Sequence, residues 1–329
     1  MTRWGILGCG RIARKFAADL KQVEGAELVA LGSRSRSNVE QFATEFPAKH
    51  LHSSYEDLVS DPDVDVIYVA TPHNLHYENT LLCLNHGKAV LCEKAFAMNA
   101  KQAQEMVGLA RQKKLFLMEA LWTKFMPHYQ KTTEMVSSGQ LGQIKSVLVN
   151  FGFAPVPPIP KRLFDPALAG GTILDIGIYN VFMALSFLGV PDKVEATMTP
   201  ASTGVDEQCA ILLTYKNGAM AQLFSTFSSN LATEADISGD KGRIRLTSRF
   251  YEPSTTVEYY PDKVDSRQII SVHKEPGFGY QYEARHVGEC LQKGMTESPV
   301  MTHEDTLTLM RILDEVRSKA GIRYAADNY

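Results

Sequence analysis

Three things are scarce in this 329-residue chain, and each scarcity excludes something. There are only five cysteines, Cys9, Cys83, Cys92, Cys209 and Cys290, an odd number with no C-x-x-C pair. Neither a disulfide framework nor a cysteine-built metal site is expected, and reduced thiols in a cytoplasmic compartment are. Excess charge is scarce too: the formal net charge is −3, so no basic field points to nucleic acid or to an acidic membrane surface. The longest apolar run, 181–190, is interrupted by Ser186 and is too short to cross a bilayer. The chain enters a strand pattern at once, so no signal peptide is expected ahead of it. What remains is an ordinary globular balance, 44% hydrophobic and 22% charged, in a length that suggests two domains.

The first of these is organised by Arg3 to Phe16, RWGILGCGRIARKF. Trp4-Gly5-Ile6-Leu7 is long enough for one buried parallel strand. Ile12, Ala13, Phe16, Ala17 and Leu20 then recur at helical spacing. Between them lies Gly8-x-Gly10-x-x-Ala13. Gly8 permits a tight turn, Gly10 lets a pyrophosphate approach the backbone, and Ala13 lets the helix pack close to the strand. Such a glycine pair also serves plain strand–helix turns, but strand and helix are both present here. Gly8, Gly10, Arg11 and Ile12 are therefore assigned to a dinucleotide site.

The second strand, Leu28–Leu31, ends without the acid that would hold a ribose 2′-hydroxyl. It runs instead into Gly32-Ser33-Arg34-Ser35-Arg36. A guanidinium accepts a 2′-phosphate through its planar fork, where a carboxylate would repel it. The expected coenzyme is NADP, with Ser33 and Arg34 its contacts and Arg36 a further candidate.

The strand 65–70 ends in Thr71-Pro72-His73-Asn74-Leu75-His76, and the strand Ala89–Cys92 ends in Glu93-Lys94-Ala95. In an open parallel sheet, ligands bind at carboxyl ends of this kind. Thr71, Pro72, His73, Asn74, His76, Glu93 and Lys94 are accordingly assigned to the coenzyme site. Two histidines three apart do not make a metal site without a third ligand, and no metal is expected. Lys94 is the candidate to polarise a substrate oxygen, although an isolated Glu-Lys pair would read as a polar strand terminus. Trp122 and Phe125, after the strand 115–118, either wall a substrate pocket or fill a core between domains.

After a linking helix from His128 to Ser138 the pattern changes. Strands are read at 146–151, 193–199, 208–215, 219–227, 234–238 and 243–246, with turns at Asn217-Gly218 and Asp240-Lys241-Gly242. They form an open, mainly antiparallel sheet. Ala221, Leu223, Ser225 and Phe227 are read on its uncovered face, a candidate dimer surface. Asp175 and Tyr179 share one face of a helix running to Leu188. A tyrosine hydroxyl beside a lysine ammonium can exchange a proton with a substrate oxygen, although a capped helix with a half-buried tyrosine reads equally well. Phe278 is a further candidate for the substrate pocket, and His286 reads as core.

The ordered set GCGRIA (8–13), TPHNLH (71–76), EKA (93–95) and DIGIY (175–179) resembles the Gfo/Idh/MocA family of oxidoreductases, over nearly the whole chain. The resemblance implies a Rossmann domain of doubly wound parallel sheet at 1–122. It also implies a substrate-binding and dimerisation domain at 123–329, whose last helix can pack back on the first. Tyr179 becomes the acid/base, Lys94 its electrostatic partner, and Asp175 a substrate or orienting contact. The implied reaction is NADP-dependent hydride transfer at a carbinol carbon of a small cyclic polyol, either an aldopyranose such as D-xylose or a trans-dihydrodiol. A homodimer would form through the C-terminal sheet. Two departures stand out: Ala95 replaces the family's proline, and Tyr179 replaces its common histidine. Rival readings are a keto-sugar or carbonyl reductase and a non-catalytic NADP sensor.

Overall fold

The computed structural model of the protein describes residues 1–261 and 266–327. The chain divides into two compact units, 1–125 with 275–307, and 126–274 with 308–327 among the described residues. The expected blocks, 1–122 and 123–329, are thereby corrected. The segment 275–307 belongs with the first unit because its helix, Tyr280–Gln292, packs on the first helix of the chain.

In the first unit, strands and helices alternate: β1 (Thr2–Leu7), α1 (Arg11–Leu20), β2 (Ala26–Gly32), α2 (Arg36–Glu45), β3 (His50–His52), α3 (Tyr55–Val59), β4 (Val66–Val69), α4 (His76–Asn85), β5 (Ala89–Glu93), α5 (Ala100–Lys113) and β6 (Leu117–Ala120). All pairings are parallel, in the order β3-β2-β1-β4-β5-β6. β4 and β5 are buried throughout, as expected of strands covered on both faces. The helix starts are chemically marked. Ser35, Ser54 and Asn99 accept from the backbone N–H groups of Asn38, Asp57 and Gln102. On α1 the buried residues are Ala13, Phe16, Ala17, Asp19 and Leu20, while Ile12 stays half-buried. Asp19 is there because its carboxylate accepts from the backbone N–H of Phe278 at 2.9 Å and of Tyr280 at 2.8 Å.

The second unit holds α6 (Pro127–Ser137), β7 (Ile144–Gly152), α7 (Ile178–Leu188), β8 (Lys193–Pro200), β9 (Asp206–Thr214), β10 (Met220–Thr226), β11 (Ala235–Gly239), β12 (Arg243–Thr247), β13 (Thr256–Tyr260) and β14 (Gln268–Ile270). Its sheet runs β14-β13-β12-β11-β7-β10-β9-β8 and is antiparallel except at its centre, where β7 and β10 run parallel. The helices α8 (Tyr280–Gln292) and α9 (His303–Ala320) follow.

Two expectations change here. Ala221, Leu223, Ser225 and Phe227 are buried, because α7 packs against β7 and β10 and takes that parity of residues. The alternate residues, Met220 and Gln222, are the exposed ones. The helix expected to open regularly at Asp175 begins instead with one π-helical turn, Ile173–Gly177. The stretch Pro166–Leu188 is apolar enough to match a membrane span in length and composition. Since 78% of its most apolar window is buried, it reads as a core element.

Candidate active site

In the first unit the candidate residues gather at the carboxyl ends of β1, β2, β4 and β5. The strand order reverses between β1 and β4, the place where open parallel sheets take their ligands. Gly8 has φ +102, and a Cβ there would stand 3.0 Å from the Ala70 carbonyl oxygen. Only glycine fits the turn. Gly10 behaves differently: a Cβ built there meets no atom within 4 Å. The first turn of α1 carries no acid, and no side chain caps it among the described residues. Open space before a helix N-terminus with amide donors fits a dinucleotide pyrophosphate.

At the end of β2, Ser33 is buried. Its N–H donates to the His52 carbonyl at 3.2 Å, and its Oγ accepts from the Ser35 N–H at 3.3 Å. Arg34 is exposed, with its guanidinium carbon 5.9 Å from the Tyr55 ring centre. Arg36 pairs with Glu40 at 2.7 Å on α2, which leaves Arg34 as the cation of the turn.

At the end of β4, Thr71 Oγ1 accepts from Asn79 Nδ2 at 3.1 Å, and His73 opens a short 3-10 turn. The Asn74 Oδ1 atom is buried and has no hydrogen-bond partner among the described residues. His76 corrects its assignment. Its ring is fully buried, and its two nitrogens lie 2.8 Å from the Ala95 carbonyl and 2.7 Å from the Thr71 carbonyl. Burial lowers its pKa against the pull of those carbonyls. The ring has no nitrogen left for a coenzyme, and it ties the β4 loop to the β5 loop instead.

At the end of β5, Glu93 accepts from the Tyr68 hydroxyl through Oε1 and from the Lys94 N–H at 3.2 Å through Oε2. The Glu93 side chain therefore turns into the fold, and Lys94 remains half-buried. The Lys94–Ala95 peptide is cis, although the family proline is absent. Trp122 is buried and stacks on Tyr280, with ring centres 4.6 Å apart, while Phe125 lies 5.0 Å from the His286 ring. Phe278 is 45% exposed, with the Lys15 ammonium 5.1 Å from its ring centre.

Glu283 went unread in the sequence. It is fully buried, with neither carboxyl oxygen hydrogen-bonded among the described residues. Burial first, then the charges of Glu93 and Asp19, push its pKa well above the carboxylate range. Its position, within the buried stripe Tyr280, Ala284, Val287 and Cys290 of α8, was the available signal.

In the second unit, the π-helical turn carries Asp175. Asp206, fully buried, holds the entry to that turn: its Oδ2 accepts from Thr172 Oγ1 at 2.6 Å and from the Ile173 N–H at 2.7 Å. Burial raises its pKa to about 6. Asp175 Oδ2 stands 3.0 Å from Arg162 Nη1. Tyr179, on the first turn of α7, is 5% exposed. Its ring centre lies 6.0 Å from that of Phe151 and 5.1 Å from that of Tyr251, and those two rings stack at 4.4 Å. Phe151 and Tyr251 also line a cavity of about 460 Å³, with Asn230, Arg249 and Ser254. The aromatic pair therefore joins the tyrosine to a cavity that Tyr179 itself does not line.

Fold and glycine turn together define an oxidoreductase built on a nicotinamide-dinucleotide-binding domain. Residues 2–121 match the oxidoreductase family with an NAD-binding Rossmann fold, Gfo/Idh/MocA, and residues 129–245 match the C-terminal domain of the same family. The chain belongs to the Gfo/Idh/MocA family. It is similar to the trans-1,2-dihydrobenzene-1,2-diol dehydrogenase of Sus scrofa, 37% identical with 99% of this chain and 98% of that one covered. The enzyme of the same name from Xenopus tropicalis is 36% identical, with coverages of 98% and 99%. Among solved structures, a 3-ketoreductase from Actinomadura kijaniata, in complex with NADP and TDP-benzene, superposes with a TM-score of 0.85. Its identity is 28%, with 97% of this chain and 98% of that one covered. An aldose-aldose oxidoreductase from Caulobacter crescentus shares the fold, with a TM-score of 0.89 at 24% identity and 97% of each chain covered.

Proposed function

We propose that the protein is an NADP-dependent dehydrogenase acting on a carbinol carbon of a small cyclic diol or sugar, with trans-dihydrodiols and aldopyranoses such as D-xylose as the substrate classes. The observation that carries this reading is the exit of β2. Arg34 stands exposed beside Ser33, and no carboxylate occupies the place where a ribose 2′-hydroxyl would be held. The names of the relatives support the diol, and the ketoreductase bound to NADP supports the coenzyme.

NADP, when bound, supplies the hydride acceptor or donor. Amide groups at the start of α1 and the Gly8–Ile12 turn bind its diphosphate, and Ser33 and Arg34 its 2′-phosphate. Lys94 stabilises negative charge developing on the substrate oxygen. Tyr179 takes the proton from the substrate hydroxyl in oxidation and returns it in reduction. Asp175, neutralised by Arg162, orients a neighbouring hydroxyl. Trp122 and Phe278 supply apolar wall. The free thiols of all five cysteines suit a cytoplasmic setting. The exposed Leu148 and Met220 on the sheet suit a homodimer formed through that face.

The test is an absorbance screen at the NADPH band with purified protein against aldoses, polyols and aromatic dihydrodiols, run in both directions. Turnover of a cyclic diol or aldose with NADP supports the reading. Turnover confined to ketones would make the protein a carbonyl reductase, and none at all would leave an NADP-binding sensor.

A further inference from the structure

We propose that His50, His52 and Asp61, in the first unit, form a binding site for one divalent transition cation of the zinc class. His50 and His52 occupy alternate positions on β3, the edge strand of the parallel sheet, so their side chains leave the same face. Asp61 sits just beyond α3 and faces them. Its Oδ2 lies 2.5 Å from His50 Nδ1 and 2.9 Å from His52 Nε2. One ligand atom from each residue lies within 4.8 Å of the other two. Tetrahedral ligands about 2.1 Å from an ion stand roughly 3.4 Å apart, so small side-chain rotations open the cluster around a cation.

The donor set decides the class. Two imidazoles and one carboxylate suit zinc and its neighbours, whereas magnesium and calcium take oxygen ligands. The carboxylate already faces both imidazoles through Oδ2. It is also oriented, since Oδ1 accepts from the Asp63 N–H at 2.9 Å, which leaves Oδ2 for the metal. The site is reachable, because the side chains of His50 and His52 are 30% and 21% exposed and leave room for water as fourth ligand. Asp63 Oδ2, 3.6 Å from His50 Nε2, adds negative charge. Lys49 on Asp63 and Lys88 on the Asp61 carbonyl oppose it, so an affinity in the micromolar range is expected rather than that of a structural zinc site. Occupancy would tie the edge strand to the turn after α3, one peptide hydrogen bond from Ser33.

The experiment uses the full chain without a histidine tag, stripped with chelator and titrated with Zn²⁺ by calorimetry. The expected result is one equivalent bound per chain and a rise in Tm. His50→Ala and His52→Ala should each weaken binding about tenfold or more, and Co²⁺ should give visible d–d bands that vanish in both variants. Circular dichroism and NADPH binding establish that these surface variants fold. Absence of a saturable site overturns the proposal, and so does undiminished binding in the His50→Ala/His52→Ala double variant.

Discussion

Arg162 and Asp175 face each other across 3.0 Å, with 38% of the arginine side chain exposed and only 12% of the aspartate. The guanidinium comes from a short 3-10 turn, Lys161–Leu163, and the carboxylate from the π-helical turn just before Tyr179. A substrate hydroxyl that meets Asp175 thus meets a neutralised pair with one partner open to solvent. Replacing Arg162 by Gln should raise KM for the polyol about tenfold and change kcat less, because in the proposed reaction the pair orients substrate without exchanging the reacting proton. Steady-state kinetics of the variant separate the two parameters.

Gly8 and Gly10 should respond oppositely to alanine. Gly10 has open space before it and φ −90, which alanine adopts without strain. Gly10→Ala should keep the wild-type Tm yet weaken NADPH binding about tenfold or more, since its methyl would occupy the approach proposed for the diphosphate. Gly8→Ala, at φ +102, should lower stability by about 1–3 kcal/mol. Thermal unfolding and coenzyme fluorescence titration check both.

Arg34→Ala should reduce kcat/KM with NADP about 100-fold and leave kcat/KM with NAD nearly unchanged, since a charge-assisted contact to phosphate contributes roughly 1.5–3 kcal/mol. Parallel assays with the two coenzymes provide the measurement. An equal loss with both would assign the residue to packing on Tyr55.

Lys94→Met should cut kcat about 1,000-fold while NADPH still binds, because in the proposed reaction the lost charge acts on the substrate oxygen. Rapid-mixing measurement of the hydride step and a binding titration test this. Retained turnover would remove Lys94 from the chemistry.

Asp206 makes stability depend on pH. Burial raises its folded pKa to about 6, above the unfolded value, so the folded state holds its proton more tightly. The associated stability is fully present below about pH 4 and lost as pH rises through 6. The whole effect is on the order of 3 kcal/mol. Asp206→Asn cannot titrate, so urea unfolding at pH 5 and pH 8 should show a smaller loss in the variant than in the wild type.

Much of this was legible in the residues. The glycine turn, the strand ends at Thr71 and Glu93, and the caps Ser54 and Asn99 are local signals, and local chemistry decides them. What escaped depends on neighbours distant in the chain. β3 is three residues, His-Leu-His, with no periodicity to read. The parity of β10 follows from which face α7 covers, and Ala221-x-Leu223-x-Ser225 reads equally well either way up. Parallel pairing of β7 with β10 leaves no trace in strands that alternate like antiparallel ones. His76 reads as a ligand because it lies in the loop after β4 where a coenzyme is expected, and only its two carbonyl partners show that it serves the backbone. Arg162 sat in a loop without pattern, and nothing local linked it to Asp175.

The first unit is assembled from both sides of residues 126–274 in chain order. A ribosome that has released only the first 274 residues has made a parallel sheet whose Asp19 still lacks the amide donors of Phe278 and Tyr280. Trp122 likewise waits for the ring of Tyr280. Cutting the gene after the last sheet strand would therefore not liberate a self-sufficient nucleotide module, and the half that is translated first cannot close until most of the other has been made.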